Sequence, residues 1–149
     1  VYELSIRMVD ISSKPDVFRE AVAEGFIKLK KETVRLIREG LIEKGDVLAV
    51  SSVAALLAVK KTPELLPLTH NIPITHVSTS YEVLDDGVKV TVAVRTTAKT
   101  GAEMEALAGV TLALLNIWDM VKKYEKDEGG QYPETMISNV RVVRKTKEA

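Results

Sequence analysis

The 149-residue chain has no cysteine, few aromatic residues (5%) and no net charge, with 21 Lys+Arg against 21 Asp+Glu. Without cysteine there can be no disulfide, thiolate nucleophile, iron–sulfur cluster or thiolate zinc site. With only His70 and His76 as imidazoles, a histidine-built metal centre is not expected either. A zero net charge argues against nucleic acid held by bulk phosphate neutralisation, but it leaves room for local basic pockets. The longest nearly apolar run, residues 106–118, is shorter than the ~20 residues of a bilayer span, and the N-terminal stretch does not read as a signal peptide. A soluble, cytoplasmic protein without membrane contact is expected. No repeat, low-complexity tract or linker rich in Pro, Gly or Ser divides the chain, so a single domain over 1–149 is expected, burying about 70% of its extended-chain surface.

What the chain does have is periodicity. After an extended start over 2–10, the segment 18–29 places Ala21, Ala23, Gly25 and Ile27 on one face and fits a strand, with a helix as the open alternative. Val34, Leu36 and Ile37 then switch to helical spacing over 30–39, and Gly40 is placed to stop that helix. A second helix is predicted from 45 to 61, apolar enough (Val47, Leu48, Val50, Val53, Leu56, Leu57, Val59) for most of its surface to be buried. Thr62 and Pro63 read as the N-cap and first residue of a separate short turn. Strands over 72–84 and 88–97 are joined by Asp85-Asp86-Gly87, a hairpin signal, with Val88, Val90, Val92 and Val94 lining one face. A long helix is predicted over 101–126, opened by a capping box from Thr100 to Glu103, and 136–143 supplies a last strand. The order strand, helices, strand, strand, helix, strand predicts an α+β fold of the ferredoxin-like split βαβ type, an antiparallel sheet with helices packed on one face. Such a fold names no function.

Asp119 is the most unusual residue. It lies near the end of a helix expected to have little exposed surface, where a carboxylate is costly without a partner, and Lys122 and Lys123 follow three and four residues later. It reads either as an ordinary ion pair or as a general acid/base pair whose pKa values are pushed by burial and by each other. The capping box accounts for Glu103 but not for Glu105, which lies about 21 Å from Asp119 at 1.5 Å per residue. One site uses both only through an extended ligand or a symmetric dimer. Lys99-Thr100-Gly101 is rejected as a phosphate loop because 94–98 lacks glycines, although a helix N-terminus beside Lys99 and Arg95 could still take an anion. Lys44, Lys60 and Lys61 are further cations, each accountable as a solvated surface charge. His70 sits in a proline-bounded apolar loop, where structure explains it as well as function does. Any metal would be magnesium, held partly by substrate phosphates.

Taken together, Met8-Val-Asp10, Arg19-Glu-Ala21, Lys44-Gly-Asp46, Lys60-Lys-Thr62, Leu65-Leu-Pro-Leu-Thr-His70, Lys99-Thr-Gly-Ala-Glu-Met-Glu-Ala-Leu107 and Ile117-Trp-Asp-Met-Val-Lys122 resemble, in order and spacing, the MoaC family of cyclic pyranopterin monophosphate synthases. The resemblance runs from about residue 8 to residue 144. It implies an enzyme of molybdenum cofactor biosynthesis, a lyase that rearranges 3′,8-cyclo-7,8-dihydro-GTP into cyclic pyranopterin monophosphate and expels pyrophosphate, with no required cofactor and magnesium possible. It further implies Asp119 and Lys122 as the catalytic pair, and Leu68, Thr69, His70, Met104 and Glu105 in contact with substrate. Lys44, Lys60 and Arg19 would line a basic pocket for the triphosphate, with Lys99 beside them. The assembly implied is a hexamer, a trimer of dimers, with active sites between subunits.

The chain departs from the family pattern in three places. Thr69 stands where many members have cysteine, so either a thiol is dispensable there or the position contributes backbone contacts. Asn71 replaces a usual proline. The chain has extra residues around 128–134 and no glycine- and lysine-rich tail, for which Lys145 or Lys147 would have to substitute. Two other classes compete with the enzyme: a regulatory module that binds a nucleotide without turnover, and an RNA-binding sheet. The second is weakened by the lack of stacking aromatics.

Overall fold

A computed structural model describes residues 4–148. Of the expected extended start, Tyr2 and Glu3 lie outside the described residues, and residues 4–10 form neither helix nor strand. The segment with two open readings is a strand, β1 (Val17–Lys28), and the faces divide as its alternation requires: Ala21, Ala23 and Ile27 are buried, and Lys28 is exposed. Helices α1 (Lys31–Arg38) and α2 (Val47–Leu65) follow, then the hairpin β2 (Ile74–Leu84) and β3 (Gly87–Ala98). Helix α3 (Glu103–Glu125) leads to β4 (Met136–Glu148). The sheet order is β2-β3-β1-β4 with every neighbouring pair antiparallel, so the fold is α+β as expected, its open sheet covered by helices on one face.

The core lies between that face and α3. Val88, Val90, Val92 and Val94 have no exposed surface and meet Ala106, Val110, Ala113, Leu114, Ile117 and Val121. Each buried branched side chain stabilises the fold by about 1.5–3 kcal/mol. The helix comes this close because β1 has a glycine beneath it: a Cβ at Gly25 would lie 2.7 Å from Leu114 Cδ1 and 2.8 Å from Val110 Cγ1.

Several expectations are corrected. Helix α2 continues through Thr62 and Pro63 to Leu65 and does not restart there. Proline removes only its own N–H bond, and the Thr62 hydroxyl donates back to the Ala58 carbonyl at 2.8 Å instead of capping a new turn. Helix α3 has no capping box. Its N-cap is Ala102, and the Glu103 carboxylate turns to Lys145 of β4 at 2.7 Å, a tertiary ion pair that displaces the local bond. Strand β4 extends beyond residue 143 to Glu148 because β1 offers it a partner along its whole length, from Phe18 opposite Glu148 to Lys28 opposite Met136.

The outward side of α2 is not buried within the chain. Val50, Val53, Leu56 and Leu57 are 39–57% exposed. Helix α3, at 23 residues, is long and apolar enough to cross a membrane by length and composition, which the shorter run 106–118 did not suggest; half of its apolar window is buried in this fold. The sheet face turned away from the helices carries a charge ladder, with Glu20 between Arg95 and Arg144 and Glu24 between Lys89 and Arg141.

Candidate active site

The two ends of α3 carry two separate clusters. At the C-terminal end, Asp119 receives Lys44 Nζ at 3.0 Å on one carboxylate oxygen and Lys122 Nζ at 3.3 Å on the other. Lys122 arrives by helical spacing. Lys44 arrives from the loop between α1 and α2, where Gly40 and Gly45, both at positive φ, turn the chain back towards α3. These residues line a cavity of about 340 Å³ with Glu43, Met120 and Lys123.

The Asp119 side chain is 54% exposed, which corrects the expectation of a buried carboxylate. Its pKa is moved by hydrogen bonds and charge: Lys44 first and Lys122 second hold the carboxyl below the usual aspartate value. Asp119 is therefore ionised, flanked by two ammonium groups. A carboxylate in that state can accept a proton, and the ammonium groups can donate one or stabilise an oxyanion.

At the other end, Leu68, Thr69, His70, Met104 and Glu105 share a cavity of about 200 Å³ with Thr100, Gly101 and Glu103. Glu105 is 3% exposed, and burial pushes its carboxyl up. Burial is the largest single influence on Glu103 and would raise its carboxyl, but the Lys145 hydrogen bond, a backbone hydrogen bond and the charges of Lys145 and Arg19 together leave it below the ordinary glutamate value. Thr69 is bound locally, its hydroxyl donating to the Leu66 carbonyl at 2.8 Å. His70 Nε2 lies 2.6 Å from the Val9 carbonyl and ties the segment before β1 to this cavity.

Arg19 crosses from β1 to the end of β3, donating to the Ala98 and Lys99 carbonyls, and lines a crevice with Gly101, Glu103, Lys145 and Lys147. Lys99 bonds the Lys14 carbonyl at 2.9 Å and lies 4.0 Å from Asp16. Arg95 belongs to the outer sheet face, paired with Glu20, so the expected anion site formed by Lys99 and Arg95 at the α3 N-terminus is not assembled. Lys60 is exposed on α2, outside both cavities.

One chain thus does not bring the two halves of the expected site together: Glu105 and Asp119 lie fourteen residues apart, about 21 Å along α3. Sequence reasoning assigned Lys44 to phosphate and missed its contact with Asp119, because the two are 75 positions apart and only the tertiary fold joins them. It also missed Lys145 as the partner of Glu103. Among the described residues no group of three or more His, Asp or Glu side chains could hold a metal ion.

Comparison with known proteins bears out the resemblance to the MoaC family. A sequence model of the MoaC family matches residues 8–148. A protein of Aeropyrum pernix named "Probable cyclic pyranopterin monophosphate synthase" is 66% identical over 140 residues, covering 94% of this chain and 96% of its own. A Pyrococcus horikoshii protein of the same name is 60% identical, covering 99% of this chain and 92% of its own. A Methanothermobacter thermautotrophicus relative, 55% identical and covering 97% and 91%, is named "Probable cyclic pyranopterin monophosphate synthase accessory protein".

Proposed function

We propose that this chain, which belongs to the MoaC family, converts 3′,8-cyclo-7,8-dihydro-GTP to cyclic pyranopterin monophosphate with release of pyrophosphate, by general acid/base catalysis in a basic pocket completed between subunits. Membership makes it an enzyme of molybdenum cofactor biosynthesis. The observation that carries the mechanistic reading is the Lys44–Asp119–Lys122 bridge. Closing a cyclic phosphate requires a hydroxyl to lose its proton as it attacks phosphorus, and the departing pyrophosphate must have its charge met. An ionised carboxylate between two ammonium groups suits both needs. Magnesium, if used, would arrive on the substrate's phosphates.

The second half of the site comes from a second copy. Met104, Thr111, Leu115 and Asp119 are exposed at spacings of seven, four and four, which puts them along one side of α3. A two-fold axis near Thr111 and Leu112 would run two α3 helices antiparallel and set the Met104–Glu105 end of one beside Asp119 of the other. The same face supplies an apolar reason to associate. Leu115 is 53% exposed, and Ala54, Leu57, Ala58, Lys61, Leu65 and Leu112 line an open groove of about 220 Å³ next to it. In the trimer of dimers that the resemblance implies, such a pair would be the dimer.

The test is pyrophosphate and pterin production by wild type, Asp119→Asn and Lys122→Ala. Turnover in the wild type and losses of about 10²-fold or more in the variants are expected. Binding without turnover in the wild type would overturn the proposed reaction and leave a nucleotide-binding module. Full rates in both variants would remove Asp119 and Lys122 from the chemistry.

A further inference from the structure

Glu125 closes α3 with no exposed surface, and it lines neither cavity. Burying a carboxyl group costs several kcal/mol unless donors replace its water, and here the donors come from two other segments. The Lys30 backbone N–H donates to Oε2 at 3.1 Å, the Thr33 hydroxyl donates to the same oxygen, and the Thr135 hydroxyl donates to Oε1 at 2.7 Å. No cation is among these partners.

Lys30 is the N-cap of α1 and offers no side-chain cap of its own; Thr33 occupies the third helical position. In a capping box an acid at that position reaches back to the N-cap N–H. In this chain the acid comes from the last turn of α3, 95 positions away. At eight residues α1 is too short to hold itself, so its placement depends on such contacts. The loop that follows α1 is fastened to the same end of α3: Glu43 N–H donates to Tyr124 Oη at 2.8 Å, Glu43 pairs with Lys123, and Lys44 reaches Asp119.

We propose that Glu125 is a positioning residue: by capping α1 from the end of α3 it sets where the α1–α2 loop meets that helix, and so holds Lys44 against Asp119. The importance of this for turnover rests on the reading of Asp119 as the base; the geometric claim does not. Asp119 is faced by Lys44 from the loop and Lys122 from its own helix, with Glu43 and Lys123 lining the same cavity.

The experiment is an NMR titration of the Asp119 carboxyl in the full chain, with Lys44→Met as the yardstick for complete loss of the contact. Glu125→Ala should raise the Asp119 midpoint by at least half the Lys44→Met shift. Glu125→Gln should stay near wild type, because its amide oxygen still accepts from Lys30 and Thr33 while its NH₂ can donate to Thr135. A folded Glu125→Ala with an unmoved midpoint overturns the proposal. If that variant does not fold, Thr33→Val replaces it: a smaller shift in the same direction is expected, and no shift is equally fatal. Wild type without turnover but with the Glu125 effect intact would defeat the proposed reaction alone. Turnover with an unmoved Asp119 would defeat the positioning role alone.

Discussion

At the scale of single residues, the carboxylates Asp119 and Glu105 of α3 stand in opposite environments. Asp119, on a long apolar stretch, was expected to be buried; the helix turns it outward, and two lysines govern its charge. Glu105, near the helix start, is the shielded one, and burial raises its pKa. The pH dependence follows from the sign of the Asp119 shift. Pairing lowers the folded-state pKa, so the ionised carboxylate and its ion pairs persist at and above the ordinary aspartate value of ~3.9 and are lost only as pH falls further. Lys44→Met should therefore move the acid limb of the pH–rate profile to higher pH, together with a fall in rate. A limb that does not move would mean that another group supplies the base. The Thr69 hydroxyl, engaged on the Leu66 carbonyl at 2.8 Å, helps to shape the turn after α2.

At the scale of elements, most of the architecture was legible. The valines of β3, the Asp-Gly turn and the alternation of β1 are local signals, and tertiary packing obeys them. The misreadings fall where a local signal competes with a distant partner. Thr62 and Pro63 look like a helix start, but α2 is already formed and absorbs a proline in its last turn. Thr100 and Glu103 look like a capping box, but Lys145 takes the carboxylate. Helix α3 is seated closely on β1 at Gly25, where any side chain meets Leu114 and Val110 within 3 Å. Gly25→Val should lower stability by about 1–3 kcal/mol or more through overpacking, measured by denaturant unfolding. Unchanged stability would show that α3 is not seated as closely as described.

At the scale of the molecule, the proposed two-fold pair of chains would account both for the exposed apolar side of α2 and α3 and for the division of the candidate site between the ends of α3. Leu115→Glu would place two carboxylates near the proposed axis; it should give a folded monomer by light scattering and circular dichroism, with turnover lost. A sharper test mixes two inactive variants, Glu105→Gln and Asp119→Asn, after subunit exchange. A shared site restores one intact site in each mixed dimer, so roughly a quarter of wild-type activity should return. No recovery, or an active Leu115→Glu monomer, would leave the site within one chain.

Strand alternation, the hairpin and the helical periodicities, and with them the α+β class, were legible in the chain because they depend on neighbours two to four positions away, and the order of family motifs is read directly from the residues. The sequence also contained both halves of the site as residue names. The predicted helix also separated Glu105 from Asp119 by about 21 Å, whereas only the tertiary structure decided that Lys44 completes the charge environment of Asp119 and that Glu125 caps a helix it does not belong to. Those two outcomes depend on contacts between residues some 75 and 95 positions apart, which leave no periodic mark in the chain.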